Sequence, residues 1–148
     1  MPGTPTEALV DVNVLIAAVF ADHSMHVAAR RFAEGLDRIY TTPTTQGGFL
    51  RFATRPWKNE LKQEQPPRLS MSAAQATLQE FTRTPGHIFL PDDAAFTEIN
   101  LRSMQGHRQW TDAYLLHLAR KHHLVFASLE SRLSNLDEPA NSVLFVVA

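Results

Sequence analysis

The chain has 148 residues, of which 44% are hydrophobic and 20% charged; this is enough for one compact domain and too few for two. We therefore expect a single domain over residues 1–148. The formal charge of -1, from 14 basic and 15 acidic residues, excludes a globally basic nucleic-acid-binding protein and leaves room only for a local basic surface. Because the chain has no cysteine, disulfide scaffolds, thiolate zinc sites and thiol nucleophiles are excluded.

The longest apolar stretch, residues 8–20, is interrupted by Asp11 and Asn13. It is also shorter than the roughly 20 apolar residues that cross a bilayer. No basic residue precedes it, whereas a signal peptide begins with a basic region. We therefore expect a cytoplasmic protein with no membrane segment.

Apolar runs and breakers alternate along the chain and predict short strands that alternate with helices. Strands are predicted at residues 8–10, 39–42, 87–90, 124–127 and 142–147. Helices are predicted at residues 14–19, 26–36, 45–53, 72–81, 93–101 and 111–122. Residues 55–69 contain three prolines and alternating charges, which indicate a surface connection with at most a helical turn. This order is typical of a three-layer α/β domain with a mainly parallel sheet of about five strands.

Three acidic residues lie near the carboxyl ends of predicted strands, where sheets of this kind bind ligands. Asp11 ends the first strand between apolar neighbours, where an unpaired carboxylate is unfavourable; it also suits an N-cap of the following helix, and the two roles are compatible. Asp112 shares a helix face with residues that point toward the sheet, although the helix dipole alone favours an acid in a first turn. Glu130 follows the fourth strand and, taken alone, is typical of a solvated acid at a helix start.

Taken together, the three carboxylates indicate a cation site. The α/β arrangement brings their strand ends toward one crevice, where like charges repel unless a cation holds them. Oxygen ligands suit Mg²⁺ or Mn²⁺, which act on phosphate esters. The sequence has no nucleophile elbow, P-loop or dinucleotide fingerprint. The spacing of the histidines is not that of a zinc site. We interpret five of them as surface residues, namely His23, His26, His117, His122 and His123.

Three segments carry a resemblance to a known family: LVDVNVLIA at residues 9–17, TPTTQGGFLR at 42–51 and GHRQWTDAYL at 106–115. With these three segments in this order, the chain resembles the PIN-domain ribonucleases over residues 9–133. Within that family it is most similar to the VapC toxins of bacterial toxin–antitoxin pairs. The resemblance implies a cytoplasmic endoribonuclease, a hydrolase that depends on Mg²⁺ or Mn²⁺. It also implies a homodimer and a VapB-type antitoxin whose tail covers the acidic pocket.

The same resemblance assigns roles by position. Asp11 and Asp112 match the metal-binding acids, and Glu130 stands where the family commonly has Asp. Gln46 stands where many PIN domains carry Glu, so the site loses one negative charge and one general base. Members with the GFLR stretch often carry this Gln, and we therefore expect activity to be retained.

Further polar residues in the matching segments are expected to support the site. Asn13 and Thr111 would hydrogen-bond a ligand or a water molecule, although Asn13 equally suits a helix N-terminus. Arg51 is expected to contact an RNA phosphate or to be merely solvated.

Three functional hypotheses follow, and the leading one is metal-dependent hydrolysis of RNA phosphodiesters. The second is a non-catalytic PIN-fold module that binds RNA or protein, because Gln46 leaves the site poor in charge. The third is a small-molecule phosphohydrolase, suggested by Asp11 and Asn13 in a D-x-N pattern. That chemistry needs a second acid as proton donor, and Asn13 cannot serve as one.

Overall fold

A computed structural model describes residues 3–101, 106–137 and 143–148. No helix within these ranges is long and apolar enough to cross a bilayer. The strands are β1 (Glu7–Val10), β2 (Arg38–Thr41), β3 (Trp57–Lys58), β4 (Glu64–Gln65), β5 (His87–Phe89), β6 (Val125–Ser128) and β7 (Leu144–Val146). The α-helices are α1 (Val12–Val19), α2 (His26–Glu34), α3 (Pro43–Thr54), α4 (Met71–Thr82) and α5 (Trp110–Lys121).

Five strands form the central sheet in the order β5-β2-β1-β6-β7, and every neighbouring pair is parallel. The central strand β1 pairs with β2 and with β6, so the carboxyl ends of these three strands lie side by side. The register sets Val10 opposite Ala127, which places Asp11 beside Ser128 at this edge. The predicted α/β fold with a parallel five-stranded sheet is confirmed.

Helices cover both faces of the sheet because successive strand residues point to opposite sides. In β1, Ala8 and Val10 pack with α1 and α2, whereas Leu9 packs with α5 on the other face. In β6, Ala127 packs with α1 and α2, and Phe126 packs with α5. The result is the expected three-layer arrangement, with the fully buried first strand at its centre.

A close approach of two helices fixes the layer that carries the site. A Cβ atom at Gly48 in α3 would lie 2.7 Å from Cγ2 of Val12 in α1, whereas one at Gly47 would meet nothing within 4 Å. The neighbouring Phe49 is fully buried against Leu15 and the first turn of α4. The glycine at position 48 therefore lets α3 pack directly against the residue that follows Asp11.

Residues 55–69 lie at the surface, as expected of a connection, but they contain an antiparallel hairpin instead of a helical turn, so that part of the expectation is wrong. Strands β3 and β4 pair through Trp57 with Gln65 and Lys58 with Glu64. Asn59 closes the loop, since its Oδ1 accepts a hydrogen bond from Gln63 N at 2.9 Å. This side-chain contact replaces helical hydrogen bonds and explains the difference.

The helix predicted at residues 93–101 is also wrong, because the described residues contain only a 3-10 turn at Phe96–Glu98. Asp93, the expected cap, is used elsewhere: its Oδ1 lies 2.8 Å from Nε2 of His122, the residue that follows α5. A side chain committed to α5 does not cap a local helix. The strand start predicted at residue 142 lies outside the described ranges.

Candidate active site

Asp11 sits where β1 turns into α1, with only 5% of its surface exposed. Its Oδ1 accepts a hydrogen bond from Val12 N at 2.7 Å, which caps α1, and its Oδ2 accepts one from Ser128 Oγ at 2.8 Å. Its backbone N–H donates to the carbonyl of Ala127. Asp11 is therefore a helix cap, as its position after a strand indicated, and a carboxylate held rigidly at the sheet edge.

Ser128 joins the two strand ends and is a site residue that the sequence analysis missed. It is fully buried, and its Oγ accepts hydrogen bonds from Asn13 Nδ2 at 3.1 Å and Glu130 N at 3.0 Å while donating to Asp11. A serine at the end of a buried strand, two residues before an acid, was the available signal. Three elements of the site are therefore positioned through one hydroxyl group.

Asn13 is committed to the protein rather than to a ligand. Besides its bond to Ser128, its Oδ1 accepts a hydrogen bond from Leu129 N at 3.1 Å. These contacts fasten the start of α1 to the segment that follows β6. The geometry gives Asn13 a positioning role and offers no acid at the second position of the D-x-N pattern.

Burial and mutual repulsion raise the pKa values of two carboxyl groups. The pKa of Asp11 is raised to about 6, mainly by desolvation and also by the charges of Asp112 and Glu130, against the lowering effect of the hydrogen bonds from Ser128 and Val12. Desolvation also raises the pKa of Asp112, with an added contribution from Glu130. The three predicted acids, far apart in sequence, thus lie within electrostatic reach of one another.

Asp112 lies in the first turn of α5 and is partly buried, as expected for an acid on the inward face. Within the described residues its carboxylate accepts no hydrogen bond, unlike that of Asp11. Thr111 beside it is exposed. Asp112 therefore combines a partly desolvated charge with free oxygen atoms at the sheet edge.

Glu130 is turned toward a basic neighbour. Its Oε1 accepts from Arg132 Nε at 2.9 Å and its Oε2 accepts from Nη2 at 3.0 Å. This bidentate contact, together with the Arg132 backbone N–H, lowers the pKa of Glu130 to about 2. Across the three described ranges, no three His, Asp or Glu side chains stand close enough to enclose a metal ion as placed.

Gln46 points into a second short chain of hydrogen bonds. Its Nε2 donates to Thr41 Oγ1 at 3.0 Å, and Thr41 Oγ1 lies 2.7 Å from Nε2 of His87 on β5. Burial lowers the pKa of His87, so a neutral ring accepts a hydrogen bond from the buried threonine. With its nitrogen used in this way, Gln46 keeps its amide oxygen as the remaining ligand atom. Arg51, further along α3, is exposed.

The donor set fits a hard divalent cation. Mg²⁺ is commonly held by one or two carboxylates, with waters and substrate phosphates completing an octahedral shell. Asp11 and Asp112 supply two carboxylates, and burial raises the pKa of both; neither forms an ion pair within the described residues. Glu130 would join them only by exchanging its Arg132 contact or through a water molecule.

Comparison with known proteins gives the family. The PIN domain model matches residues 8–139. Ribonuclease VapC29 of Mycobacterium tuberculosis is 38% identical over 129 residues, which are 86% of this chain and 89% of that protein. The chain belongs to the PIN-domain family, in its VapC branch. A second relative of this PIN domain, ribonuclease VapC38 of the same organism, is 34% identical over 116 residues, 77% of this chain and 78% of that protein.

Solved structures agree with this PIN fold at low sequence identity. The structure of VapBC2 from Rickettsia felis, bound to a DNA fragment from its promoter, aligns with a TM-score of 0.64 at 10% identity, covering 96% of this chain and 99% of that one. VapC20 of Mycobacterium tuberculosis, a sarcin-ricin loop cleaving toxin, aligns with a TM-score of 0.63 at 17% identity. The alignment covers 86% of this chain and 92% of that one. At these identities the likeness concerns the fold alone.

Proposed function

We propose that this PIN domain is the toxin of a type II toxin–antitoxin pair and acts as a divalent-metal-dependent endoribonuclease. The observation that carries the proposal is the buried Asp11 carboxylate, which Ser128 holds at the carboxyl edge of the sheet and whose pKa is raised by burial and, to a smaller extent, by the charges of Asp112 and Glu130. The VapC relatives, which bear the name ribonuclease and align over most of their length, support RNA as the substrate.

The residues divide into ligands and positioning groups. Asp11 and Asp112 would hold the ion, with Glu130 and the Gln46 amide oxygen as further oxygen donors. When bound, Mg²⁺ or Mn²⁺ supplies Lewis-acid stabilisation of charge that develops on the scissile phosphate. Ser128 keeps one Asp11 oxygen in place, and water serves as the nucleophile, so no carboxylate forms a covalent intermediate. Thr111 and Arg51 stay expected supporting residues.

A VapB-type antitoxin is the proposed protein partner. The neighbouring structures include VapBC2 from Rickettsia felis and VapBC-5 from Mycobacterium tuberculosis, which is described as a member of the VapBC family of toxin–antitoxin systems. An antitoxin that covers the acidic edge would supply basic groups there, because a cation-binding site attracts positive charge. A homodimer remains a prediction from the family resemblance.

A non-catalytic binding module is the second candidate, and two contacts favour it. Arg132 neutralises Glu130, and Gln46 brings no charge, so two carboxylates alone carry the site. In this alternative the domain binds RNA or protein without cleaving it. A small-molecule phosphohydrolase loses support because the hydrogen bonds of Asn13 are made within the protein.

The test is the isosteric change Asp112→Asn, compared with Asp22→Asn at an exposed position. The proposal predicts that Asp112→Asn abolishes Mn²⁺-dependent RNA cleavage and relieves growth arrest on expression, whereas Asp22→Asn changes neither. Chelation by EDTA should stop cleavage by the unmodified protein, and added Mn²⁺ should restore it. An Asp112→Asn protein that cleaves RNA and arrests growth at the original level would contradict the proposal. RNA binding without metal-dependent cleavage by the unmodified protein would favour the binding module.

A further inference from the structure

Residues 51–68 contain more basic residues than any other stretch of this length in the chain. They contain five basic and two acidic residues, a formal charge of +3, whereas the whole chain carries -1. The segment covers the end of α3 and the β3–β4 hairpin. The five basic residues are Arg51, Arg55, Lys58, Lys62 and Arg68.

The positive charge of this segment is not neutralised by the protein. Several basic side chains elsewhere are paired with acids, for example Arg30 with Glu34 and Arg132 with Glu130. Within the described residues, none of the five basic side chains of 51–68 forms an ion pair. All but Arg68 are exposed. The segment therefore presents uncompensated positive charge to solvent.

Aromatic rings hold Arg68 in place. Its guanidinium carbon lies 4.3 Å from the ring centroid of Phe52 and 4.3 Å from that of Trp57, and Arg55 also lies over Phe52 at 5.4 Å. Its Nη1 is buried and meets no acceptor in the described residues. No carboxylate or carbonyl accepts a hydrogen bond from that nitrogen, so no acceptor there offsets the positive charge of the guanidinium. The other guanidinium nitrogens are the ones that could donate to a ligand.

The stack is anchored to the core on one side and to the hairpin on the other. Phe52 packs edge-on against Phe20 at 5.8 Å, and Phe20 stacks on buried Phe49 at 6.0 Å. Leu69, next to Arg68, donates its backbone N–H to the carbonyl of Ala53 in α3 at 3.0 Å. A cationic group held in this way loses little conformational freedom when it binds.

The segment lies within reach of the candidate active site. Gln46 lies in the first turn of α3, and Arg55 directly follows the end of this helix. At a rise of 1.5 Å per residue, the two residues are about 14 Å apart along the helix axis. A polyanionic substrate that approached the acidic site alone would be repelled. Basic groups at this distance would offset that repulsion and hold the strand while it extends to the sheet edge.

We propose that Arg55, Lys58 and Arg68, with Phe52 and Trp57, form a binding surface for single-stranded RNA, here named the basic hairpin surface. Its exposed cations would contact phosphates, and the Trp57–Arg68 stack would support an unpaired base. Basic groups interleaved with aromatic rings are the features by which proteins bind single strands without strong sequence preference. The proposal rests on the proposed ribonuclease function, since it names where the same substrate is held.

The test is RNA binding measured by fluorescence anisotropy, with a labelled oligouridine and the full-length protein in EDTA so that no cleavage occurs. The double variant Arg55→Ala/Lys58→Ala should bind about tenfold more weakly, because it removes two charge-assisted interactions with phosphates. The plot of log affinity against log salt concentration should become shallower by about 0.7 for each phosphate interaction that the substitutions remove. Arg68→Lys, which keeps the charge but not the planar stack, should also weaken binding.

The matched control removes the same charge elsewhere, with the double variant Arg31→Ala/Arg83→Ala at exposed positions. Arg83 follows α4, about 18 Å along that helix from its start near Arg68. Equal weakening by both double variants, or no weakening by Arg55→Ala/Lys58→Ala, would overturn the proposal. Intact RNA affinity together with loss of the co-expressed antitoxin would assign the surface to the protein partner and also overturn it. Because binding is measured without metal, failure of the nuclease proposal shows separately, in the Asp112→Asn cleavage assay.

Discussion

Burial of the Asp11 carboxylate destabilises the metal-free protein above about pH 6, so Asp11→Asn should be relatively more stable at pH 8 than at pH 4 while losing activity. The pKa of this group rises from 3.8 in its ordinary environment to about 6 in the native state. Since a tenfold change in proton affinity corresponds to about 1.4 kcal/mol, this rise lowers the free energy of unfolding by about 3 kcal/mol at alkaline pH. The destabilisation is absent below about pH 4 and complete above about pH 6.

Asparagine retains the N-cap, because its side-chain oxygen can still accept from Val12. It removes the charge and also replaces the oxygen that accepts from Ser128 Oγ with an amide donor, a cost in stability that does not depend on pH. Urea unfolding in EDTA should therefore show the stability of Asp11→Asn, relative to the unmodified protein, to be higher at pH 8 than at pH 4 by roughly 2–3 kcal/mol. The exposed substitution Asp22→Asn should change neither value. Added Mn²⁺ should stabilise the unmodified protein at pH 8 and leave Asp11→Asn unchanged. Equal effects of Asp11→Asn at the two pH values would refute the electrostatic reasoning.

Three further predictions concern the scaffold around the site. Gly48→Ala should lower the free energy of unfolding by about 1–3 kcal/mol through overpacking, whereas Gly47→Ala should raise it by up to about 1 kcal/mol through helix propensity. Urea denaturation of both variants measures these changes. Equal effects of the two substitutions would contradict the close approach of α1 and α3. Ser128→Ala removes a hydrogen bond that lowers the pKa of Asp11, so the acid limb of the pH–cleavage profile should move to higher pH, and an unmoved limb would contradict the contact. Arg132→Ala removes the ion pair that neutralises Glu130, so calorimetry should show severalfold tighter Mn²⁺ binding. Unchanged or weaker Mn²⁺ affinity would count against Glu130 as a metal ligand.

The parallel sheet could be predicted because its strands are short apolar runs between breakers, and each buried strand leaves a clear pattern. The same logic identified Asp11, since a carboxylate after a fully buried strand needs a partner. The placement of Asp112 on the inward face of α5 followed from helical spacing. In each case one local pattern and the α/β connection rule determine the location.

Contacts between segments distant in sequence could not be predicted. The hydrogen bonds of Ser128 to Asp11 and Asn13 join residues more than 110 positions apart, and no local pattern encodes them. Asp93 looked like a helix cap because its partner, His122 at the end of α5, lies 29 positions further along the chain. The β3–β4 hairpin was missed because its strands are two residues long and its turn depends on an Asn side chain.

The central claim is that Asp11 and Asp112 form a site for a divalent cation, and calorimetric titration with Mn²⁺ at pH 8 tests it most directly. The unmodified protein should bind the ion with measurable heat, and Asp11→Asn and Asp112→Asn should each abolish or strongly weaken that heat while Asp22→Asn retains it. Absence of Mn²⁺ binding at millimolar concentration, or equal binding by all four proteins, would contradict the claim.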